Sequence, residues 1–194
     1  MKRRDFLICS AAGPGGLVGL GPSAAGEEAP AEPAGSGARP GNPIAVSTYS
    51  FWQFRGDWKP TIEQCIDLAA EMGFDAVEIL EVQMHRKDNA YRQSLKRRAL
   101  LAGLALCGLS THQSFVSPDP EKRKANIEST VASIELAYSL GIPTIRVNTG
   151  RWVTTASFDV LMRNRGLEPP LPGHTDEEAF DWVIKSLQQC LPTA

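Results

Sequence analysis

Three short junctions decide the fold: Met72-Gly73-Phe74-Asp75-Ala76-Val77, Ala102-Gly103-Leu104-Ala105-Leu106 and Leu140-Gly141-Ile142-Pro143-Thr144-Ile145. In each of them a glycine ends a helical pattern, and a short run of mostly apolar residues follows. The glycines at 73, 103 and 141 recur after 30 and then 38 residues, which is the length of a strand, a crossover helix and two loops. Strands connected in this way lie parallel with helices packed outside them, so the repeat predicts an α/β fold.

Working outward from the junctions, the sequence resolves into four β/α units. The strands are predicted at 44–49, 75–80, 104–111 and 142–149. The helices are predicted to begin near Thr61, Asp88, Pro120 and Thr175, with a longer loop before the last one. In the third helix, apolar spacing predicts a buried face made of Ile127, Val131, Ile134 and Tyr138.

The residues after the first strand favour a (β/α)8 barrel over a doubly wound dinucleotide fold. Ser47-Thr48-Tyr49-Ser50-Phe51-Trp52 stands where a GxGxxG fingerprint would be required. We therefore predict parallel (β/α) units of a TIM barrel, about its N-terminal half, with four strands and four helices.

Polar residues at the strand exits are the candidate site, because barrel enzymes build active sites there. Glu78 closes the second strand, and strand register decides whether it faces the barrel mouth or forms an ion pair outside. His112 follows the third strand, where a histidine can exchange a proton, ligate a metal or serve only as a structural residue. No catalytic residue and no metal ligand is assigned from the sequence.

The segment Arg146-Val147-Asn148-Thr149-Gly150-Arg151-Trp152 adds two candidates near the end of the fourth strand. Asn148 can form hydrogen bonds with a hydroxyl group, and the guanidinium group of Arg151 can bind a carboxylate or phosphate. The competing interpretation, which we favour for Arg146 and leave open for Arg151, is pairing with an acidic neighbour. The predicted substrate-binding residues are thus Glu78, His112, Asn148 and Arg151.

Composition limits the classes of function. The chain has 194 residues, 42% hydrophobic and 22% charged, with a net charge of −2, which describes a globular protein and argues against a general nucleic-acid binder. The four cysteines form no CxxC motif, so buried free thiols are expected rather than a zinc site or a disulfide framework.

The first 43 residues are predicted to precede the folded part. Arg3-Arg4 stands before Phe6-Leu7 and a glycine-rich apolar stretch, which is typical of a twin-arginine export signal over residues 1–25. That stretch is too short and too weakly apolar for a membrane span. Residues 26–43 are rich in proline, glycine and alanine and predict a linker. The expected location is periplasmic or extracellular.

Taken together, the motifs VSTYSFW, GFDAVEIL, LSTHQSF and IRVNTGRW, with GLEPPLPG at 166–173, resemble the xylose isomerase-like TIM-barrel superfamily of sugar phosphate isomerases and epimerases, in particular its exported members. The resemblance covers residues 44–194. It implies metal-dependent isomerisation or epimerisation of a sugar or polyol, with Glu78, His112 and Asn148 lining the substrate cavity.

The resemblance places the divalent metal ligands at the ends of strands five to eight, so no ligand of the expected metal is assignable here. We therefore expect this chain to be the N-terminal half of a larger enzyme. Two alternatives stand beside it: an abasic-site endonuclease of the same superfamily with His112 as a zinc ligand, and a noncatalytic half-barrel that binds sugar or associates with itself through open edge strands.

Overall fold

The computed structural model of the protein describes residues 41–52 and 57–194. The predicted export signal and most of the predicted linker lie outside the described residues. Pro43–Ala194 forms one unit, and its described part contains a parallel sheet with the strand order β1-β2-β3-β4. The strands are β1 (Ala45–Ser47), β2 (Ala76–Leu80), β3 (Ala105–Ser110) and β4 (Ile145–Arg146). The predicted parallel α/β class is confirmed.

Five α-helices, rather than the predicted four, occur in the described part of the chain. They are α1 (Ile62–Glu71), α2 (Asn89–Ala102), α3 (Pro120–Leu140), α4 (Phe158–Arg163) and α5 (Asp176–Cys190). The additional helix α4 lies in the predicted loop and is capped by Ser157, whose hydroxyl accepts from Val160 N at 3.2 Å. Its six residues are too few to show a helical period. No helix among those described is long and apolar enough to cross a membrane.

Local capping chemistry sets the ends of the predicted helices. Thr61 and Gln64 form the capping box of α1, and Thr175 and Glu178 form that of α5. Gly103 ends α2 with a φ of 76°, a left-handed conformation that glycine adopts without steric cost. These features fix where each crossover helix stops and the next strand begins.

The core lies between the sheet and the helices. Val77, Ile79 and Leu109 are fully buried on the helix side, against Ile66 of α1 and Leu95 of α2. Because side chains alternate along a strand, the residues between these positions point to the opposite side of the sheet. We call that side the inner face, and it carries Glu78, Leu80, Gly108, Ser110 and Arg146.

The predicted buried face of α3 is wrong. Tyr138 is 88% exposed, and the buried residues are instead Thr130, Ser133, Leu136, Ala137 and Leu140. The two hydroxyl groups are tolerated in the interior because each has an acceptor for its one proton: Thr130 Oγ1 donates to Asn126 O at 2.7 Å, and Ser133 Oγ donates to Glu81 Oε2 at 2.6 Å. The apolar stripe with Ile134 and Tyr138 borders a groove of about 790 Å³ beside β4 and α5.

Candidate functional site

The register of the sheet aligns polar residues on the inner face. Ser47 pairs with Glu78, Glu78 with Gly108, and Ser110 with Arg146. Paired residues of neighbouring parallel strands share a face, so these positions form one polar surface at the carboxyl ends of the strands. This is the end where parallel α/β folds bind ligands.

Glu78 lies on the inner face, over β3, but it does not close β2 as predicted: it is the third of the five residues of that strand, which continues to Leu80. A Cβ atom added to Gly108 would come within 3.1 Å of Glu78 Cγ and 3.7 Å of its Oε1, so glycine leaves the space that this side chain occupies. Among the described residues Glu78 has no hydrogen-bond or ion-pair partner, and the alternative of an ion pair outside the mouth is not found there. Burial raises the pKa of the neighbouring Cys107 thiol, and the Glu78 carboxylate raises it further.

Arg146 is held by a set of neutral acceptors. Its Nε donates to Ser110 Oγ at 2.5 Å, its Nη1 to Asn148 Oδ1 at 2.5 Å, and its Nη2 to Thr111 O at 3.3 Å. In the described part of the chain no carboxylate lies within ion-pair distance of this guanidinium, so the predicted pairing of Arg146 with an acid is wrong. Asn148, predicted to bind substrate, accepts the hydrogen bond from Arg146 with its amide oxygen, and its NH2 group has no hydrogen-bond partner among the described residues.

His112 is exposed after β3 and lines a cavity of about 250 Å³ with Glu81, Lys87 and Gln113. Glu81 is anchored from two sides, because Lys87 Nζ lies 2.5 Å from its Oε1 and Ser133 Oγ donates to its Oε2 at 2.6 Å. Gln113 is buried and accepts a hydrogen bond from Thr111 Oγ1. The cavity is thus lined by the ion pair of Glu81 and Lys87 and by the exposed imidazole of His112.

Arg151 lies in the loop after β4, on the wall of a separate cavity of about 400 Å³. Its Nε is 3.9 Å from Glu168 Oε2, which is the acidic partner left open by the sequence. The Glu168 side chain is only 5% exposed, and its carboxylate accepts from Val153 N at 3.0 Å, from Thr155 N at 3.0 Å and from Thr155 Oγ1 at 2.8 Å. Burial raises the pKa of Glu168, but these hydrogen bonds and the charge of Arg151 outweigh it, so the pKa lies below its usual value.

Aromatic rings attach the same loop to α5. Trp152 Nε1 donates to Asp176 Oδ1 at 2.7 Å, and the Trp152 ring lies 6.3 Å from His174 and 5.9 Å from Trp182, centroid to centroid. Arg123 of α3 lies 5.0 Å from the Trp182 ring in a cation–π contact. The cluster fixes the chain that carries Arg151.

The four predicted site residues therefore do not share one cavity. Glu78 and Asn148 lie on or beside the inner face, while His112 and Arg151 line two separate cavities at the same end of the sheet. Their role in binding substrate stays a prediction.

Sequence reasoning did not select Arg146, Glu81 or Glu168 for the site. The available signal for Arg146 was its position two residues before Asn148, which places both on one face of the strand. Glu168 lies in the GLEPPLPG segment, but its partners Val153 and Thr155 are distant in the sequence, so no local sequence pattern indicates these contacts.

The divalent metal implied by the resemblance does not fit the residues present. Over residues 41–52 and 57–194, no group of three or more His, Cys, Asp or Glu side chains converges to hold a metal ion. We derive no chemical step through a metal.

Three solved structures, two of them of sugar epimerases, have the same fold. D-Psicose 3-epimerase from Clostridium cellulolyticum H10, solved with D-tagatose, superposes with a TM-score of 0.60 and 16% identity over 78% of this chain and 48% of that one. The 3-keto-D-glucoside 4-epimerase of E. coli in its apo form gives 0.52 and 17%, over 72% and 50%. Protein SMc04130 from Sinorhizobium meliloti 1021 gives 0.55 and 17%, over 78% and 46%. At such identities these likenesses show the fold alone.

The chain spans about half the length of these structures. No curated protein sequence matches it. The family model described as "Xylose isomerase-like TIM barrel" matches residues 66–194, which include β2, β3, β4 and the polar inner face. On this match, which covers well over half of the sequence and agrees with the observed fold, the chain belongs to the xylose isomerase-like TIM barrel family.

Proposed function

We propose that this chain supplies the first four β/α units of an enzyme that isomerises or epimerises a sugar or related polyol. The observation that carries the proposal is the polar inner face at the carboxyl ends of the strands, in a chain of this family. The epimerase structures above support the reaction class by their shared fold. Dependence of the complete enzyme on a divalent metal, with ligands that the described part of this chain does not supply, and export by a twin-arginine signal belong to the proposal as well.

The inner face is chemically suited to a polyol. Glu78 provides a carboxylate acceptor that no described residue occupies, and Ser47 provides a hydroxyl group on the same face. Sugar hydroxyl groups both donate and accept hydrogen bonds, so alternating acceptors and donors on one surface match their pattern. The interconversion itself removes a proton from the carbon beside a carbonyl group and returns it, which requires a positioned acid or base.

The test uses the 194-residue chain and any longer product of the same gene. Each is incubated in 2H2O with ketohexoses and aldohexoses, with and without Mn2+, Mg2+ or Co2+, and products are separated and read by NMR. We expect a new epimer or isomer carrying deuterium at the carbon beside the carbonyl group. Glu78→Gln should slow the interconversion, whereas Glu128→Gln on the exposed side of α3 should not. Absence of any interconversion in both products would overturn the proposal.

A second candidate, the self-associating half-barrel, is favoured by exposed apolar residues of α3 and of α5 with its C-terminal end. Tyr138 of α3 and Phe180, Ile184 and Leu191 at α5 and its end are 88%, 68%, 54% and 67% exposed, and large exposed apolar surfaces are typical of interfaces. Sedimentation of the chain over a range of concentrations distinguishes the two. A dimer disrupted by Tyr138→Glu would support self-association, and a folded monomer at all concentrations would contradict it.

A further inference from the structure

We propose that two copies of this chain close one eight-stranded barrel, in which β1 of each copy adds to β4 of the other. The inference rests on the self-associating half-barrel, the second candidate function, and it specifies which surfaces meet and which site they complete. The occupant of the groove beside β4 is then the first strand of a second copy.

The outer edge of β4 has backbone groups that no described strand uses. β4 accepts hydrogen bonds from the β3 side at the carbonyl oxygens of Thr144 and Arg146, at 3.0 Å each. Backbone groups of successive strand residues point to opposite sides, so those of Ile145 and Val147 point away from β3. An edge of this kind is a template for a further strand.

β1 is the other edge strand of the sheet, and its unused groups match those of β4. The Ile44 carbonyl accepts a hydrogen bond at 2.9 Å from the backbone N–H that precedes β2. Val46, two positions on, faces β2 as well, so Ala45 and Ser47 face the open side. With Val46 of a second copy opposite Ile145, the Ile145 N–H would donate to the Ala45 carbonyl. The Ile145 carbonyl would accept from the Ser47 N–H, as in any parallel pair.

The same register places apolar side chains in the groove beside β4. Val46 lies opposite Val77 and packs against the core, so Val46 and Ile44 project to the helix side of the sheet. The groove of about 790 Å³ lies on that side of β4, between Tyr138 of α3 and Leu187 of α5. Ile44 is 60% exposed in the single chain, and its burial in an apolar groove would favour association.

Closure would complete the polar site. Each copy supplies four parallel strands in the order β1-β2-β3-β4, and a parallel sheet of eight strands closes around an interior that side chains fill. The inner faces of both copies would then line one lumen. Glu78 would lie two strands from Arg146 of its own copy on one side and two strands from Arg146 of the second copy on the other. Opposite charges would thus alternate around the lumen, which favours this pairing of copies.

A disulfide bond tests the register. Ala45 of one copy would lie opposite Thr144 of the other, and both residues are exposed in the single chain. The full chain carries Ala45→Cys and Thr144→Cys together with Cys107→Ser, because the Cys107 carbonyl lies 2.9 Å from Thr144 Oγ1 and its thiol would compete. After mild oxidation we expect a covalent dimer with a peptide mass that joins positions 45 and 144, since opposite residues lie within the Cα distance that a disulfide spans. Each single cysteine variant is the control and should give little covalent dimer.

Sedimentation of the full chain tests the apolar contact. Ile44→Glu should weaken association by about 100-fold or more, because it would place a carboxylate in each of two apolar grooves. Leu100→Glu is the matched control, at a position of α2 that is 61% exposed, and should leave association unchanged. Circular dichroism shows whether each variant is folded, and the disulfide experiment stands whether or not Ile44→Glu folds.

A mixture of two variants distinguishes a strand in a groove from two grooves in contact. Ile44→Glu alters β1 and Tyr138→Glu alters the groove, so a mixed pair keeps one of its two contacts unaltered. We expect the mixed pair to associate about 10-fold more tightly than either variant alone. No gain on mixing would contradict the inference.

The inference is overturned if oxidation gives no link between positions 45 and 144, or if Ile44→Glu associates as tightly as the unmodified chain. In that second case a dimer still forms, so self-association stands and only the surfaces assigned to it are wrong. A folded monomer at all concentrations overturns self-association and the inference together, and leaves the groove to a strand of a longer product of the gene. Interconversion of sugars is measured separately, and its absence does not alter any of these outcomes.

Discussion

The loop after β4 depends on one buried carboxylate, and Glu168→Ala measures that dependence. Glu168 accepts three hydrogen bonds from Val153 and Thr155 at 2.8 to 3.0 Å. Val153 has a φ of 59°, a left-handed conformation that is strained for a β-branched residue. The hydrogen bond from Val153 N to the carboxylate is the contact that holds this conformation.

The expected loss of stability follows from those contacts. A hydrogen bond to a charged group contributes about 1.5 to 3 kcal/mol, so three would give several kcal/mol if all were fully buried. Val153 is 67% exposed, so water replaces part of what is lost, and relaxation of its backbone returns part of the strain. We expect Glu168→Ala to lower the free energy of unfolding by about 3 kcal/mol, and Glu168→Gln by about half of that because one acceptor oxygen remains.

Urea unfolding followed by circular dichroism measures both changes, with Glu128→Ala on the exposed side of α3 as the control. The pKa of Glu168 lies below its ordinary value of 4.5 in the folded chain. Its contribution is therefore fully present above that ordinary value and is lost as the pH falls through the lower folded value. The difference between the unmodified chain and Glu168→Gln should shrink below about pH 4. A loss for Glu168→Ala no larger than that of Glu128→Ala, or a difference that grows on acidification, would refute the reasoning.

Three further outcomes follow from other parts of the chain. Gly108→Val places a branched side chain where Glu78 now lies, because even a Cβ atom at position 108 would be only 3.1 Å from Glu78 Cγ. We expect this substitution to lower the free energy of unfolding in urea by about 1 to 3 kcal/mol, and an unchanged unfolding midpoint would contradict the expectation. Burial raises the pKa of Cys65 to about 11, so its thiol should resist alkylation by iodoacetamide at pH 8 until urea unfolds the chain, as read by peptide mass. A reporter fused to residues 1–43 should be exported, and the double change Arg3→Lys with Arg4→Lys should retain it inside the cell; continued export would contradict the twin-arginine interpretation.

The repeat units were predictable because their signals are local. The glycine that ends α2 and the threonine that begins α5 act within one turn of a helix, so a short window of sequence contains both the cause and its effect. The buried face of α3 was not predictable in this way. There Ser133 is buried because it donates to Glu81, 52 positions away, while apolar Tyr138 is exposed. The spacing of hydrophobic residues shows which positions are polar, but it does not show which partner a buried polar group has in the folded chain.

The candidate site shows the same division between local and long-range causes. Glu78 and Asn148 could be selected because they are polar residues of the predicted strands, and the alternation of side chains limits each to one of two faces. Which face each occupies depends on register with the neighbouring strand, and Glu78 also needs Gly108, 30 positions along the chain, to leave it space. Sequence position therefore identified the end of the sheet, but tertiary contacts decided which side chains meet.

Arg146 and Arg151 differ in the partners that orient them. Only Arg151 was predicted to bind an anion, although both arginines follow from the same stretch of sequence. Arg151 faces Glu168, a carboxylate that is itself committed to the backbone of the loop, so its charge already has a partner inside the protein. Arg146 is instead oriented by Ser110 and Asn148, which are neutral. A neutral acceptor orients a guanidinium without neutralising its charge, whereas a carboxylate both orients the guanidinium and neutralises it. On this reasoning, Arg151 stabilises the loop after β4.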